Sequence, residues 1–536
     1  MHTIKSKPAP VNGINARDGI AAMGEQDAVL LVNWIPDTYG IRCRKGYQEW
    51  ATDFPTTDVE SVLSYIARGT SFPGGAFLTV PTSMPGFLFG CTKGGIYDIT
   101  TATATPTLAK ALSGTTNAGW IQSAMLANTA GHFLLCTSEI DGYLYFDGTV
   151  WTTVTLGGGA GQVSGKDPAT FVQVLVHKKR AWFVERNSTS AWYLAADAIT
   201  GAATEFPFGS QFKKGGHLSY LAKWTVDAGE GIDDFLVAVS SMGDVVVYKG
   251  TDPAVAANWL LVGTWNIGQV PIGRRAYAQL GGDLVLISAD GIFPMSYVTR
   301  GGSDSLMLSG QEYASMIRQP LAEDLGSTYT SRGWDILIHP KERVMCINVP
   351  NYSNRVDFQY CMSTSKKGWC YLEDIPVYCY GTSAGYAFAG TKDGRVLLIF
   401  SGYFDDLQLG ANSGNGIRGA IVPAFSSFEA PTVDKLFTLI RPTFQSVDTP
   451  NIALGINVDY ELSEPLGTPS FTPLTQDVWD TGLWDTAVWG GATRIFKEWQ
   501  GVGGVGFVGA ASISTLCVGD TTLVSLDYMI EGGGVV

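Results

Sequence analysis

Short apolar, aromatic-rich runs separated by Gly, Asp, Asn and Ser turns dominate the chain, and they come in pairs that read as strand, tight turn, strand. Gly86–Cys91 is followed by Gly94–Ile99, His132–Cys136 by Asp141–Phe146, and Arg180–Val184 by Ala191–Leu194. The pattern returns in Asp234–Val239 with Gly243–Tyr248, Asp283–Ile287 with Asp290–Phe293, Arg343–Ile347 with Phe358–Cys361, and Ala387–Gly390 with Gly394–Phe400. These hairpins recur at intervals of roughly 45 to 60 residues, close to the repeat of a propeller of four-stranded sheets. One such sheet buries too little surface to stand alone, so the sheets must pack radially around a shared core. The pattern predicts an all-β fold, a β-propeller of seven blades. Six or eight blades stay open as counts, because the spacing is irregular and no strict WD40 or kelch signature is present.

The hairpins place the propeller at residues 58–406, with an N-terminal flank at 1–57 and a C-terminal β-rich region at 407–536. A closed propeller brings its two ends together, so the flanks are expected to meet and build one platform domain. A single helix signal stands out: Tyr313, Met316 and Ile317 are spaced for one helical face within Gln311–Arg318, and Pro320 is expected to end it.

Composition agrees with packed β-structure, with 45% hydrophobic residues, only 16% charged residues and 65 glycines to supply turns. Lys and Arg total 35 against 49 Asp and Glu, a net charge of −14, so the surface as a whole repels nucleic acid and anionic lipid and a sequence-reading DNA binder is disfavoured. No apolar run is long enough to span a membrane, and Met1–Asn12 has no secretory apolar core, which reads as a chain cytosolic when made and not inserted in membranes. The eight cysteines form no CxxC pair and read as buried thiols, with Cys361, Cys370 and Cys379 at repeating hairpin positions. No metal or other cofactor is expected.

The N-terminal flank carries an ordered set of short motifs: Gly13-Ile-Asn15 with Ala16-Arg17-Asp18, then Ala22-Met23, then Asn33-Trp34-Ile35-Pro36, then Arg44-Lys-Gly46-Tyr47. With Trp499–Gly506 and the ending Tyr528–Gly534, this order resembles the tail nozzle (tail tubular protein B-like) and packaged-DNA stabilisation proteins of short-tailed bacteriophages. Gly24 stands where those openings carry proline, and Ile35 where they carry phenylalanine. The resemblance implies a structural virion protein of the tail, assembled in the host bacterial cytoplasm. It implies a homo-hexameric ring that continues the DNA channel below the portal and adaptor, retains packaged double-stranded DNA without reading its sequence, and releases it at infection. Its implied partners are the adaptor or head–tail connector protein and the tail fibre or needle and plug proteins. Six copies would carry 6 × −14 = −84 charges, and an acidic lumen would keep DNA from adhering.

Candidate subunit-interface residues follow. Trp479, Trp484 and Trp489 recur five apart in Asp477–Trp489, a spacing that fits neither a strand face nor a helix face, and would anchor in a neighbour's pockets or fold back on their own domain. Trp34, Arg17 and Asp18 join them from the flank motifs. Lys178-Lys-Arg180, Lys213-Lys214, Arg274-Arg275 and Lys366-Lys367 read as solvated turns, and any that touches DNA would contact phosphate in a salt-sensitive way.

Two other classes compete. A carbohydrate- or receptor-binding propeller would use a shallow aromatic pocket built from Trp182, Trp192 or Trp224. A polysaccharide-degrading enzyme would need two carboxylates facing across a sugar, for which Asp233, Asp234, Asp405 and Asp406 are the candidates. The five histidines show no triad-like setting, with His132 and His177 reading as hydrogen-bonded structural residues at strand edges. Gly501–Gly506 matches GxGxxG but lacks the following helix of a dinucleotide site, and reads as a bulge or a close backbone contact between subunits. Phe146-Asp147-Gly-Thr-Val-Trp151 resembles the end of a sialidase Asp-box, itself a structural turn. No catalytic residue is expected.

Overall fold

The computed structural model of the chain describes residues 2–67, 81–227, 232–299, 315–350, 357–463, 465 and 494–532. Every hairpin read from the sequence forms, and the chain is an all-β propeller on a β-rich platform. The inner strands of the blades run Ser61–Tyr65, Ile121–Asn128, Phe171–His177, Leu218–Asp227, Tyr277–Leu280 and Cys379–Ser383, and each begins an antiparallel meander leading outward. Five of these sheets have four strands and the one beginning at Tyr277 has three.

The blade count is six rather than seven. The sixth hairpin in sequence belongs to a meander, Asp335–His339, Val344–Asn348, Phe358–Ser363 and Trp369–Glu373, that does not close as a separate blade. Its first strand packs between those of the fifth and last blades, while its last strand continues through Gly13–Ile14 and Asp27–Val32 into a ten-stranded platform sheet. Hairpin spacing alone does not distinguish a strand with a free outer edge from one whose edge is taken by another part of the chain.

The second and third strands of the blades are buried on both faces, whereas outer strands such as Thr107–Ala111 are largely exposed, which explains why Phe235–Val239 and Val245–Val247 are continuous apolar runs and not alternating ones. The core is divided between successive blades: Leu63 and Phe89 pack on Leu134 and Leu144, Leu135 and Tyr143 on Phe171 and Phe183, and Val172 and Val184 on Leu221 and Leu236. Polar side chains then cross the axis. Arg275, ahead of the fifth blade, lies 3.8 Å from the centroid of the Trp120 ring and donates to Ser61 Oγ at 2.6 Å, and Trp120 Nε1 donates back to the Gly273 carbonyl at 2.7 Å. Arg274 Nε donates to Glu139 at 3.0 Å, and Gln173 Nε2 to Tyr277 Oη at 3.0 Å. Burial pushes Asp335, 3.7 Å from Arg275, up to about 6, and also raises Glu60. This hub holds blades across the ring, not only side by side.

Ring closure uses the N-terminal flank. Tyr47–Ala51, expected within the platform, is instead the outer strand of the last blade, paired antiparallel with Val396–Ile399. Trp50 on this strand is fully buried against Phe388 and donates from Nε1 to the Ile99 carbonyl of the first blade at 2.7 Å.

The platform joins both chain ends. His2–Pro8 pairs antiparallel along Thr521–Gly532, with His2 opposite Glu531 and Pro8 opposite Ser525. Asp27–Val32 pairs with Asn415–Pro423, which pairs with Gly509–Cys517.

Pro320 does not end a helix, as the sequence suggested. It lies in the first turn of Arg318–Thr328, where a missing N–H costs nothing; residues 311–314 of the expected helix lie outside the described residues. All eight cysteines are buried thiols, and Cys346, Cys361 and Cys370 stand in one row across three adjacent strands of the meander. Neither ring nitrogen of His177 has a hydrogen-bond partner, contrary to the expectation of a hydrogen-bonded residue; the ring sits edge-on to Trp259, and burial lowers its pKa to about 4.

Replacing Trp50 with Ala is expected to lower stability by about 3–5 kcal/mol, read from denaturant unfolding, because it removes both the buried ring and the link between the last and first blades. His177 stays neutral in the fold while an unfolded chain protonates near its ordinary 6.5, so its contribution is present above that pH and is lost as pH falls toward 4. A His177→Phe variant is expected to show a shallower loss of stability over this window, by up to about 2–3 kcal/mol at its acid end.

Candidate functional site at the propeller and platform junction

Flank motifs Asn33-Trp34 and Arg44-Lys-Gly46-Tyr47 converge where the chain enters and leaves the propeller. Arg44 has no exposed side-chain surface and holds Asp405 in a bidentate pair at 2.7 and 2.6 Å. Its Nε donates to Asn33 Oδ1 at 2.8 Å, and its remaining donors reach the Lys45 carbonyl at 3.1 Å and the Glu373 carbonyl at 2.9 Å. All five guanidinium N–H groups are therefore used. Burial raises the Asp405 pKa against the pull of Arg44, so the pair stands because the whole fork is satisfied.

Asn33 is the hinge of the same network. At φ +61° it adopts a left-handed conformation that asparagine tolerates better than most residues, its Oδ1 also accepts from the Glu373 N–H at 2.9 Å, and its Nδ2 donates to the Arg418 carbonyl at 2.7 Å. Three parts of the chain distant in sequence are thus tied at one point. Gly46 is required by a close approach, since a Cβ there would sit 1.8 Å from the Phe404 carbonyl oxygen.

Beside this clamp opens a polar cleft of about 700 Å³, lined by Tyr47, Asp374, Asp405, Asp406, Asn415 and Arg418 among others. Asp406 pairs with Arg395 at 2.8 Å. Among the described residues no cluster of histidine, cysteine or carboxylate side chains could hold a metal ion.

The residues singled out from sequence fall into distinct settings. Trp34 is corrected from interface to core: it has no exposed surface, and its Nε1 donates to Thr515 Oγ1 at 3.1 Å. Arg17 and Asp18 form a surface ion pair at 2.7 Å, and Asn15 bridges Asp18 and Asp27. The Arg17 guanidinium, then Asn15, holds Asp18 down to about 2. Trp479, Trp484 and Trp489 lie outside the described residues. Trp182 and Trp224 are buried in blade cores and Trp192 donates to Glu185 while lying under Lys166, so they do not form a shared sugar platform.

Of the carboxylate candidates, Asp405 is committed to Arg44, and Asp234 accepts from Thr225 at 2.9 Å with Lys178 3.5 Å away. They belong to separate regions of the molecule. Asp147 accepts from the backbone of Thr149 and Val150, a turn-building role. Gly504 gives close approach within the chain and not between subunits, since a Cβ there would lie 2.8 Å from Ile456, and the pairing of this strand with Lys435–Ser446 shifts register between Phe437 and Leu439. The clamp itself was hidden in the sequence: Arg44 and Asp405 are 361 residues apart, and only the motif around Arg44 marked one partner.

No family model and no curated protein matches the chain. Among solved structures it is similar to Raptor from Chaetomium thermophilum (10% identity over 66% of this chain and 28% of that one, TM-score 0.35). It is also similar to YCF48 from Cyanidioschyzon merolae (11% identity, 66% and 98% covered, TM-score 0.37). A third likeness is to the β-propeller domain of Myceliophteria thermophila Cps50 (Swd1), at 12% identity with 59% and 94% covered and TM-score 0.35. The chain spans about 28% of the length of the Raptor chain. Assignment as a propeller rests on the sheet arrangement described above.

Breaking the clamp by Asp405→Ala leaves a buried guanidinium without its counter-charge and is expected to cost about 3–5 kcal/mol. Replacing both partners with apolar residues, as in Arg44→Met with Asp405→Leu, is expected to cost less than the single change, and urea unfolding of the two variants beside the unmodified chain measures the difference.

Proposed function

We propose that the chain is a structural subunit of a short-tailed phage tail, a ring-forming nozzle or hub that extends the DNA channel, and that it has no catalytic role. The single observation that carries this reading is that two of the motifs bearing the family resemblance, through Asn33, Arg44, Gly46 and Tyr47, weld propeller to platform. A protein loaded along its axis during DNA packaging and release needs its domains locked, and a fully satisfied buried ion pair with both chain ends in one sheet supplies that. The hub, with Trp120 and Arg274 buried, ties the segments ahead of the second and fifth blades together. The reading puts the channel for DNA between subunits.

On this reading the partners are other copies of the chain in a hexamer, the adaptor or connector above, and fibre or needle proteins below. Arg17 and Asp18 remain candidates for the subunit contact because they are surface-exposed. The burial of Trp182 and Trp224 weighs against a sugar-binding propeller face.

Electron cryomicroscopy of the native assembly, with symmetry determined before any model is imposed, is expected to give closed rings around an axial channel. Monomers or trimers without a channel would overturn the reading.

A further inference from the structure

Three of the eight buried thiols share one row. Cys346, Cys361 and Cys370 stand directly opposite one another on the Val344–Asn348, Phe358–Ser363 and Trp369–Glu373 strands of the meander. Cys346 Sγ lies 3.6 Å from Cys361 Sγ. A small apolar side chain would fill the same core, so three cysteines at register-matched positions bring a chemistry that packing does not need.

The backbone suits a cross-strand link. Residues directly opposed in an antiparallel pair have Cα atoms about 4.5–5.5 Å apart, inside the range of about 4.4–6.8 Å that a disulfide spans. The two sulfurs have to approach by about 1.5 Å more to bond, which side-chain rotation supplies. Cys361, at the centre of the row, accepts hydrogen bonds from both neighbouring thiols. Burial opposes its ionisation, but those hydrogen bonds and the charge of Arg42 outweigh it and hold the thiol below its ordinary value. Burial instead pushes up the thiols of Cys91, Cys136 and Cys379. Cys43 and Cys517 also share a hydrogen bond, but their strands do not pair, so no register sets their separation.

Solvent comes close to the row from one end. Ser363 is on the same face of its strand as Cys361, about 7 Å further along. It lines a groove of about 320 Å³ between the N-terminal flank and the meander, together with Arg42 and Arg343. A molecule as small as hydrogen peroxide reaches the sulfurs from this groove through a local opening of the hairpin.

We infer that Cys346 and Cys361 form a reversible disulfide when a peroxide reaches them, with Cys370 left beside the link as an exchanging thiol. The peroxide O–O bond breaks as the Cys361 sulfur takes one oxygen to become a sulfenic acid, and the other oxygen leaves as water with the thiol proton. The Cys346 sulfur then displaces the hydroxyl, which leaves as a second water with the Cys346 proton. Two thiols are oxidised, one peroxide is reduced and one S–S bond forms. Attack by the Cys370 thiolate on Cys361 moves the bond and releases Cys346. A chain made in a reducing cytoplasm keeps its thiols, and one carried outside it meets the oxidant. The link joins two strands of the meander that connects hub and clamp, and it does not depend on the nozzle reading.

The test treats the full folded chain with hydrogen peroxide, blocks remaining thiols with iodoacetamide in denaturant, and maps links by mass spectrometry without reduction. A peptide pair joining Cys346 to Cys361 is expected, and it is expected to disappear after dithiothreitol. Cys361→Ser, checked for an unchanged melting midpoint, is expected to abolish every link in the row, and Cys346→Ser to move the link to Cys361 and Cys370. In the linked protein the amides of Val344–Asn348 and Phe358–Ser363 are expected to exchange at least about 10-fold more slowly, because the closed loop restrains the open state. Full alkylation of all three thiols overturns the inference. A link found only at Cys43 and Cys517, a link that forms only after unfolding in urea, or sulfinic acid at Cys361 without a link also overturns it. Should the variants not fold, mapping and exchange in the unmodified chain decide by themselves.

Discussion

A buried arginine has five donors to satisfy, and where they are satisfied determines what the surrounding chain can do. Arg44 meets all five on Asn33, Lys45, Glu373 and Asp405, that is, on the incoming flank, on the outer strand of the meander and on the outgoing segment. Removing water from such an ion pair is costly, and its net contribution over an apolar substitute is small. Its value lies in geometry: the planar fork admits one arrangement of the three segments, and each of them anchors a sheet. The closing strand Tyr47–Ala51 begins three residues after Arg44, so the register of the last blade is set from the same point.

The hub works in the same way at the propeller axis. Radial packing of apolar faces tolerates sliding between blades, whereas Arg275 on Trp120 and Arg274 on Glu139 fix blades across the ring from one another. Clamp and hub are linked by the meander, whose first strand begins at Asp335 beside Arg275 and whose last ends at Glu373 beside Arg44. A propeller with a side opened into its own platform is thereby held as one body.

Much of this was legible in the sequence. Every hairpin was visible because strands buried on both faces leave uninterrupted apolar runs bounded by turn residues, as in Val245–Val247 after Gly243. What was not legible depended on contacts distant in sequence. Nothing local marks Trp369–Glu373 as a strand that pairs onward with Gly13 and Val32, or Tyr47–Ala51 as a blade strand separated from its partner by more than the length of the propeller. Pro320 misled because proline is equally at home just after a helix and in its first turn. Trp34 was singled out as a large aromatic in a motif, and the structure shows the motif serving the core.

Hydrogen exchange by mass spectrometry on the intact chain addresses the central claim, that clamp and closing strand join propeller and platform into one cooperative unit. Amides of Ile41–Cys43 and of Tyr47–Ala51 are expected to exchange at the same slow rate as Val396–Ile399 and Gly509–Cys517, and all four segments to accelerate together in Asp405→Ala. Fast exchange in Tyr47–Ala51 while the platform strands stay protected, or acceleration confined to one domain in the variant, would contradict it.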